Sequence, residues 1–221
     1  MSFAKEWEDI YSASAHLSTW PWSDLVGLVH HHAPGPFEGL RVLEVGCGAG
    51  ANIPFFRSLG CDYFGIDGSP SIIDRLASHF PDMKDHLAVA DFTEDFVFEG
   101  PFDLVIDRGS LTHNSDADIR KAIGLAFTAL RPGGRHISVD WFSNAHYGAA
   151  SGEAGDDPYT RRNFKEGALN GTGIAHFSDR ANVEDIFAAW KVLYLMHKNY
   201  EPMVPDSGQN LASWNIVAER P

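Results

Sequence analysis

Glycines crowd one short stretch of this 221-residue chain, Gly46-Cys47-Gly48-Ala49-Gly50, directly after the run Val42-Leu43-Glu44-Val45. Glycine is needed where backbone turns tightly and approaches a ligand with no Cβ in the way, and a helix starting just beyond presents unpaired N–H groups. Two acids follow in similar settings. Asp67 closes a second apolar run and precedes Gly68-Ser69, in register to accept hydrogen bonds from a ribose diol. Asp91 closes a third with Phe92 beside it, so a carboxylate and a ring are both to hand for an adenine amino group and its base. The glycines alone do not choose between ligands. Gly46, Gly48 and Ala51 also satisfy the G-x-G-x-x-[GA] spacing of dinucleotide sites, so NAD is a rival, and a strand-to-helix turn with no ligand is the bland reading.

These residues need elements to hold them. Strand-like runs cover Arg41–Gly46, Asp62–Asp67, His86–Asp91, Phe102–Asp107 and Arg135–Trp141. Amphipathic stretches separate them, the clearest being Asp118–Leu130 with Ile119, Ala122, Ile123, Ala126, Phe127 and Leu130 on one side. Continuous apolar strands between helices imply a parallel sheet covered on both faces. Arg131-Pro132-Gly133-Gly134 closes that helix and turns into the fifth strand. After a helix near Asn182–Trp190 come two more strand-like runs, Lys191–Tyr200 and Leu211–Glu219. Pro202, Pro205, Asp206, Ser207 and Gly208 lie between them as turn residues, which predicts an antiparallel closing pair.

The chain reads as one domain: a helical cap over 1–36, a cofactor-binding core over 37–142, a lid-like insert over 143–180 and a closing helix and strand pair over 181–221. The cap carries helix-start signals at Trp20-Pro21-Trp22-Ser23-Asp24. The insert, rich in glycine and polar residues, has weak periodicity, and a loop of that length inside a compact domain is usually functional. The formal charge of −13, with no basic cluster beyond Arg161–Arg162, disfavours nucleic acid as a partner. Charged residues break up the N-terminus, so neither a signal peptide nor a membrane span is expected, and two cysteines, Cys47 and Cys61, give no disulfide framework. A cytoplasmic location is the expectation.

With these residues in view, the sequence resembles the class I S-adenosylmethionine-dependent methyltransferases over roughly residues 37–142. The resemblance implies a doubly wound α/β fold of seven strands, mostly parallel with an antiparallel last strand and helices on both faces. It implies that Gly46, Cys47, Gly48 and Gly50 hold the methionine end of S-adenosylmethionine, and that Glu44 orders the loop and the amino group. Asp67, with Gly68 and Ser69, would take the ribose, and Asp91 with Phe92 the adenine. The chain also looks like a bacterial subset with a Trp-Pro-Trp-Ser-Asp segment before the loop, associated with surface-sugar biosynthesis. Asp91-Phe92 and the late strand pair weigh against the alternative of an NAD-dependent oxidoreductase; a catalytically silent S-adenosylmethionine binder is the third reading.

On that reading the acceptor is a small molecule, a sugar-derived metabolite among the candidates, more readily methylated at oxygen than nitrogen. No [DN]-P-P-[FY] run follows the fourth strand, where Asp107-Arg108-Gly109-Ser110-Leu111-Thr112-His113-Asn114 stands instead. Transfer from a sulfonium mainly requires positioning, plus removal of a proton from a hydroxyl acceptor. His113 is the first candidate for that base, the plainer alternative being a histidine that caps or packs on the helix beginning near Asn114. Asp107 would orient such a base, contact the donor or simply cap the loop, and Asp140 ranks behind them with His146 and Tyr147. Asp107 and Asp140 would also suit Mg²⁺, which some small-molecule O-methyltransferases hold at these strand ends. Asp140 is followed by Trp141 rather than the usual acid-asparagine pair, so no metal is expected. Trp7, Tyr11, Trp20 and Trp22 with His16 read either as a lid over the cofactor, with Trp20 among its contacts, or as a cap packed on the sheet. Arg161 and Arg162 read as an anion site or a solvated pair, and His30-His31-His32 as a solvated helix end.

Overall fold

A computed structural model describes residues 5–205 and 208–221. Asp206 and Ser207, read above as turn residues, lie outside the described residues. Five strands run parallel: β1 (Arg41–Val45), β2 (Asp62–Asp67), β3 (Leu87–Val89), β4 (Phe102–Arg108) and β5 (Leu130–Phe142). The insert adds β6 (Glu153–Ala154), β7 (Thr160–Arg162) and β8 (Ile174–His176), and the closing pair is β9 (Lys191–Tyr200) and β10 (Leu211–Glu219). The seven-stranded sheet is ordered β3-β2-β1-β4-β5-β10-β9, with β10 antiparallel to both β5 and β9. This is the seven-stranded, mostly parallel arrangement with an antiparallel last strand that the sequence predicts.

Alternating side chains explain the layers, because successive residues of a strand face opposite sides. Val42 and Leu104 pack with α2 (Ser23–His32), α3 (Ile53–Ser58) and α4 (Pro70–His79), whereas Leu43 and Val105 pack with α5 (Asp116–Ala129) and α7 (Arg180–Ile186). Caps set the helix starts. Ser69 accepts from Ile72 N at 3.3 Å, Ser115 from Asp118 N at 3.2 Å and Asp179 from Asn182 N at 2.8 Å, each satisfying a free first-turn donor. These caps start α5 and α7 two residues earlier than periodicity alone suggests.

Three expectations need correction. The third strand is only Leu87–Val89, because Pro81–His86 wind into a 3₁₀ turn. The fifth begins at Leu130: Gly133 N donates to Arg220 O at 2.8 Å and Arg220 N to Gly134 O at 2.9 Å, which draws Arg131–Gly134 into the sheet through a register shift opposite Phe102. The insert, predicted as a loop, forms a second sheet ordered β6-β7-β8 and a short α6 (Gly148–Ser151), around its own apolar cluster of Phe164, Leu169, Ala175 and Phe177.

One polar bridge ties the cap to the sheet. Lys198 of β9 donates to Asp24 of α2 and to Asp140 at the end of β5, both at 2.6 Å. Asn215 of β10 donates to Asp24 at 2.9 Å and accepts from Asp140 N at 3.2 Å. The Lys198 side chain is only 10% exposed, so its removal leaves two carboxylates without a shared cation. Lys198→Met is expected to destabilise the protein by about 2 kcal/mol, a value below the fully buried range because Asp24 and Asp140 retain some solvent. Urea denaturation checks this; an unchanged midpoint would show that the bridge is not structural.

Candidate functional site

The parallel strands all end on one side, and there a cavity of about 420 Å³ opens. That is the size range of small-ligand sites, at the place where open α/β sheets bind them. The glycine loop forms its floor. Gly46 has φ +68°, and a Cβ there would sit 2.3 Å from the Ser110 Cβ, so the loop after β1 can lie against the turn after β4 only as glycine. Gly48 has φ +49° and faces the Tyr11 hydroxyl, which would be 3.0 Å from an added Cβ.

Glu44, Asp67 and Asp107 end three neighbouring strands and are all buried. Glu44 accepts from the Tyr63 hydroxyl at 2.5 Å and from Asn52 Nδ2 at 2.7 Å. Burial outweighs those bonds and raises its carboxyl to about 7. Asn52 lines the cavity, and its Oδ1 is buried with no hydrogen-bond partner among the described residues. A buried carboxyl held near neutrality beside an orphaned acceptor could hold a donor cation, such as the amino group of S-adenosylmethionine. Asp67 accepts from Gly48 N at 2.9 Å and from Ser69 N at 3.0 Å, and burial raises it to about 6. Asp91 and Phe92 line the same cavity.

Several sequence-predicted residues sit elsewhere. Asp107 does not reach the cavity: it is fully buried, and accepts from Ser110 N at 2.9 Å, Leu111 N at 3.0 Å and the Ser138 hydroxyl at 3.2 Å. It positions the turn that carries Ser110 and cannot itself touch donor or acceptor. Gly50 shapes the loop from behind, facing Leu76 and Ile53, and Ser69 after Gly68 is the buried cap of α4, where Glu8 of α1 (Lys5–Ser12) accepts from its hydroxyl. Trp20 is 80% exposed and outside the cavity wall; Trp22 takes that place, stacked 3.6 Å from the Arg108 guanidinium. Asp140 lines the cavity but is held by Arg108 and Lys198, so Asp107 and Asp140 do not form an oxygen pair for Mg²⁺. Among the described residues no group of three or more His, Cys, Asp or Glu side chains could hold a metal ion. Arg161 spends its guanidinium on the carbonyls of Ala149, Pro158 and Thr160, and exposed Arg162 pairs loosely with Asp156.

His113 does face the cavity. Its Nδ1 lies 3.0 Å from the Ile174 carbonyl, which can only accept, so Nδ1 carries the proton and Nε2 presents a lone pair. Trp7 packs edge-on against the ring at 4.8 Å, and burial lowers the imidazole to about 4, keeping it neutral. Sequence reading missed Asn52, Tyr63, Arg108 and Lys198. Asn52 left one trace, a polar residue just before the apolar first turn Ile53-Pro54-Phe55-Phe56; the others gain meaning only from the partners that folding brings to them.

Residues 42–134 match the family model described as a methyltransferase domain. The ubiquinone biosynthesis O-methyltransferase of Mesorhizobium japonicum is 31% identical over 106 residues, 46% of this chain and 41% of that protein. Its counterpart in Brucella melitensis is 33% identical over 107 residues, covering 47% and 42%. The chain thus spans less than half the length of these curated relatives. Among solved structures, an S-adenosylmethionine-dependent methyltransferase from Methanosarcina mazei superposes with TM-score 0.68 at 18% identity, covering 92% of this chain and 99% of that one. Haemonchus contortus phosphoethanolamine N-methyltransferase 2 in complex with S-adenosylmethionine gives 0.65 at 18% identity, covering 98% and 56%. These similarities leave the nicotinamide reading of the glycine loop unsupported.

The Glu44 corner makes a thermodynamic prediction. With its carboxyl raised to about 7, the free protein holds roughly half a proton there at neutrality, and an incoming cation favours the ionised form. Calorimetry of S-adenosylhomocysteine at pH 7 in buffers of differing ionisation heat should therefore show proton release on binding, and Glu44→Gln should abolish it. Identical heats in every buffer would refute the assignment.

Proposed function

We propose, for a chain that belongs to the class I S-adenosylmethionine-dependent methyltransferase family, that it transfers the methyl group of that cofactor to an oxygen of a small-molecule acceptor. The observation that carries this reading is the coexistence, in one cavity, of a cation-seeking corner at Glu44 and Asn52 and a neutral imidazole lone pair at His113. When bound, the cofactor supplies an electrophilic methyl on a sulfonium. The chain's own residues do the rest.

Glu44 and Asn52 take the amino group, Asp67 the ribose, and Asp91 with Phe92 the adenine. Trp7 and Tyr11 of α1, with Trp22, wall the cavity against water, which strengthens every polar contact inside it. His113 Nε2 accepts the proton of the acceptor hydroxyl. A base lowered to about 4 is weak in the resting protein. It suffices because the hydroxyl becomes strongly acidic only as its bond to the methyl carbon forms. The relatives named as O-methyltransferases agree with oxygen as the target, although the aligned stretch covers only part of each.

The test has two stages. S-adenosylhomocysteine should bind in calorimetry and NAD should not; the reverse would sink the proposal. A panel of phenols, sugars and sugar nucleotides should then reveal an acceptor by S-adenosylhomocysteine release. With it, His113→Ala should keep cofactor affinity and lose turnover by about 100-fold or more, the usual range for a general base. Full activity in that variant would remove His113 from the chemistry.

A further inference from the structure

A second histidine faces the same cavity, and its tautomer is fixed the opposite way. His146 is 8% exposed and lines the cavity wall. Its Nδ1 lies 3.0 Å from Gly148 N. A backbone N–H can only donate, so Nδ1 accepts and the ring proton sits on Nε2. Glycine permits that approach: a Cβ at 148 would lie 3.1 Å from His146 Nδ1 and 2.5 Å from Leu169 Cδ1. Burial lowers this imidazole to about 4 as well, so it stays neutral. Neither His146 Nε2–H nor the His113 Nε2 lone pair has a hydrogen-bond partner among the described residues.

We propose that His146 is a specificity-determining residue that donates from Nε2 to an oxygen of the acceptor, and that the acceptor is an uncharged, flat hydroxy compound bearing a second, hydrogen-bond-accepting oxygen such as a carbonyl. The inference rests on the methyl-transfer reading above and adds the acceptor's chemical class. His113 takes a proton, so it reads the hydroxyl; His146 gives one, so it reads an oxygen that carries none. Phe142 packs against both rings, at centroid distances of 5.5 Å from His113 and 5.4 Å from His146, and with Trp7 and Trp22 gives the cavity aromatic walls suited to a planar ring. The ionisable wall favours a neutral molecule. Among the described residues, Asp67, Asp91, Asp140 and the partly ionised Glu44 line it with Arg108 as the one cation. Asp140 is already paired by Arg108 and by Lys198 behind it. A carboxylate acceptor would meet net repulsion, and the neutral His146 would not offset it.

Two measurements test this. Long-range ¹⁵N–¹H correlation spectra of the protein should show His146 protonated on Nε2 and His113 on Nδ1; His146 protonated on Nδ1 overturns the proposal before any ligand is added. Binding of 2-, 3- and 4-hydroxyacetophenone to protein saturated with S-adenosylhomocysteine should then be compared with that of the matching ethylphenols, which carry a CH₂ where the ketones carry C=O. At least one ketone should bind about ten-fold more tightly than its partner, as one buried hydrogen bond to a neutral donor gives. His146→Gln, which keeps an amide donor near the Nε2 position, should retain the preference, and His146→Leu should abolish it with cofactor affinity unchanged. No ketone preference in the unaltered protein, or a preference surviving in His146→Leu, overturns the proposal. Failure of S-adenosylhomocysteine to bind at all would instead strike the methyl-transfer reading.

Discussion

Three carboxyl groups taken out of water at the ends of three adjacent strands are the constraint around which this site is arranged. Glu44, Asp67 and Asp107 belong to β1, β2 and β4, which lie side by side, and burial raises all three. A cluster of that kind is tolerable only if each oxygen finds a donor or holds a proton. The donors present are mostly backbone N–H groups of the loops themselves: Gly48 and Ser69 for Asp67, Ser110 and Leu111 for Asp107. The acids and the loops therefore determine one another. Each carboxyl fixes a loop, and each loop makes its carboxyl bearable. Glu44 is the exception, held by the side chains of Tyr63 and Asn52, and burial raises it to about 7.

The same economy explains which residues do chemistry. Asp107 uses its oxygens on the turn after β4 and so serves as scaffold, despite standing at the position where a reactive acid would be sought. His113, six residues on, has one nitrogen committed to Ile174 of the insert and the other free toward the cavity. The insert thus orients the proposed base as well as covering it. It is built to do so, with a small sheet and an apolar cluster that reaches Phe142 at the end of β5.

Much of this was legible in the sequence because its signals are local. Continuous apolar runs between helices, the glycine loop and an acid at each strand end located the sheet and its closing pair to within a residue or two, except that the fifth strand begins at Leu130 and not Arg135. The insert was illegible for a physical reason: β6 and β8 are two and three residues long, too short for any period to register. Trp20 and Trp22 were indistinguishable by type, and only the helix that starts at Ser23 decides which one turns inward to meet Arg108. Lys198 looked like one more charge on an edge strand; its partners lie 174 and 58 residues away in the chain. Histidine tautomers, which separate a proton acceptor from a proton donor, depend on single contacts to backbone atoms that no pattern of residue types encodes.

The strand order carries a consequence for how the molecule comes into being. β10, which follows β9 in the chain, is inserted between β5 and β9 instead of being added at the rim. Until residues 211–219 leave the ribosome, β5 keeps an open edge of unpaired backbone groups, the feature that invites association with other chains. β10 is also the strand from which Asn215 reaches Asp24 of the cap. Vectorial synthesis can therefore assemble the floor of the cavity early, but it leaves the sheet, and the anchoring of the wall above that floor, to be finished only once residues 211–219 have emerged.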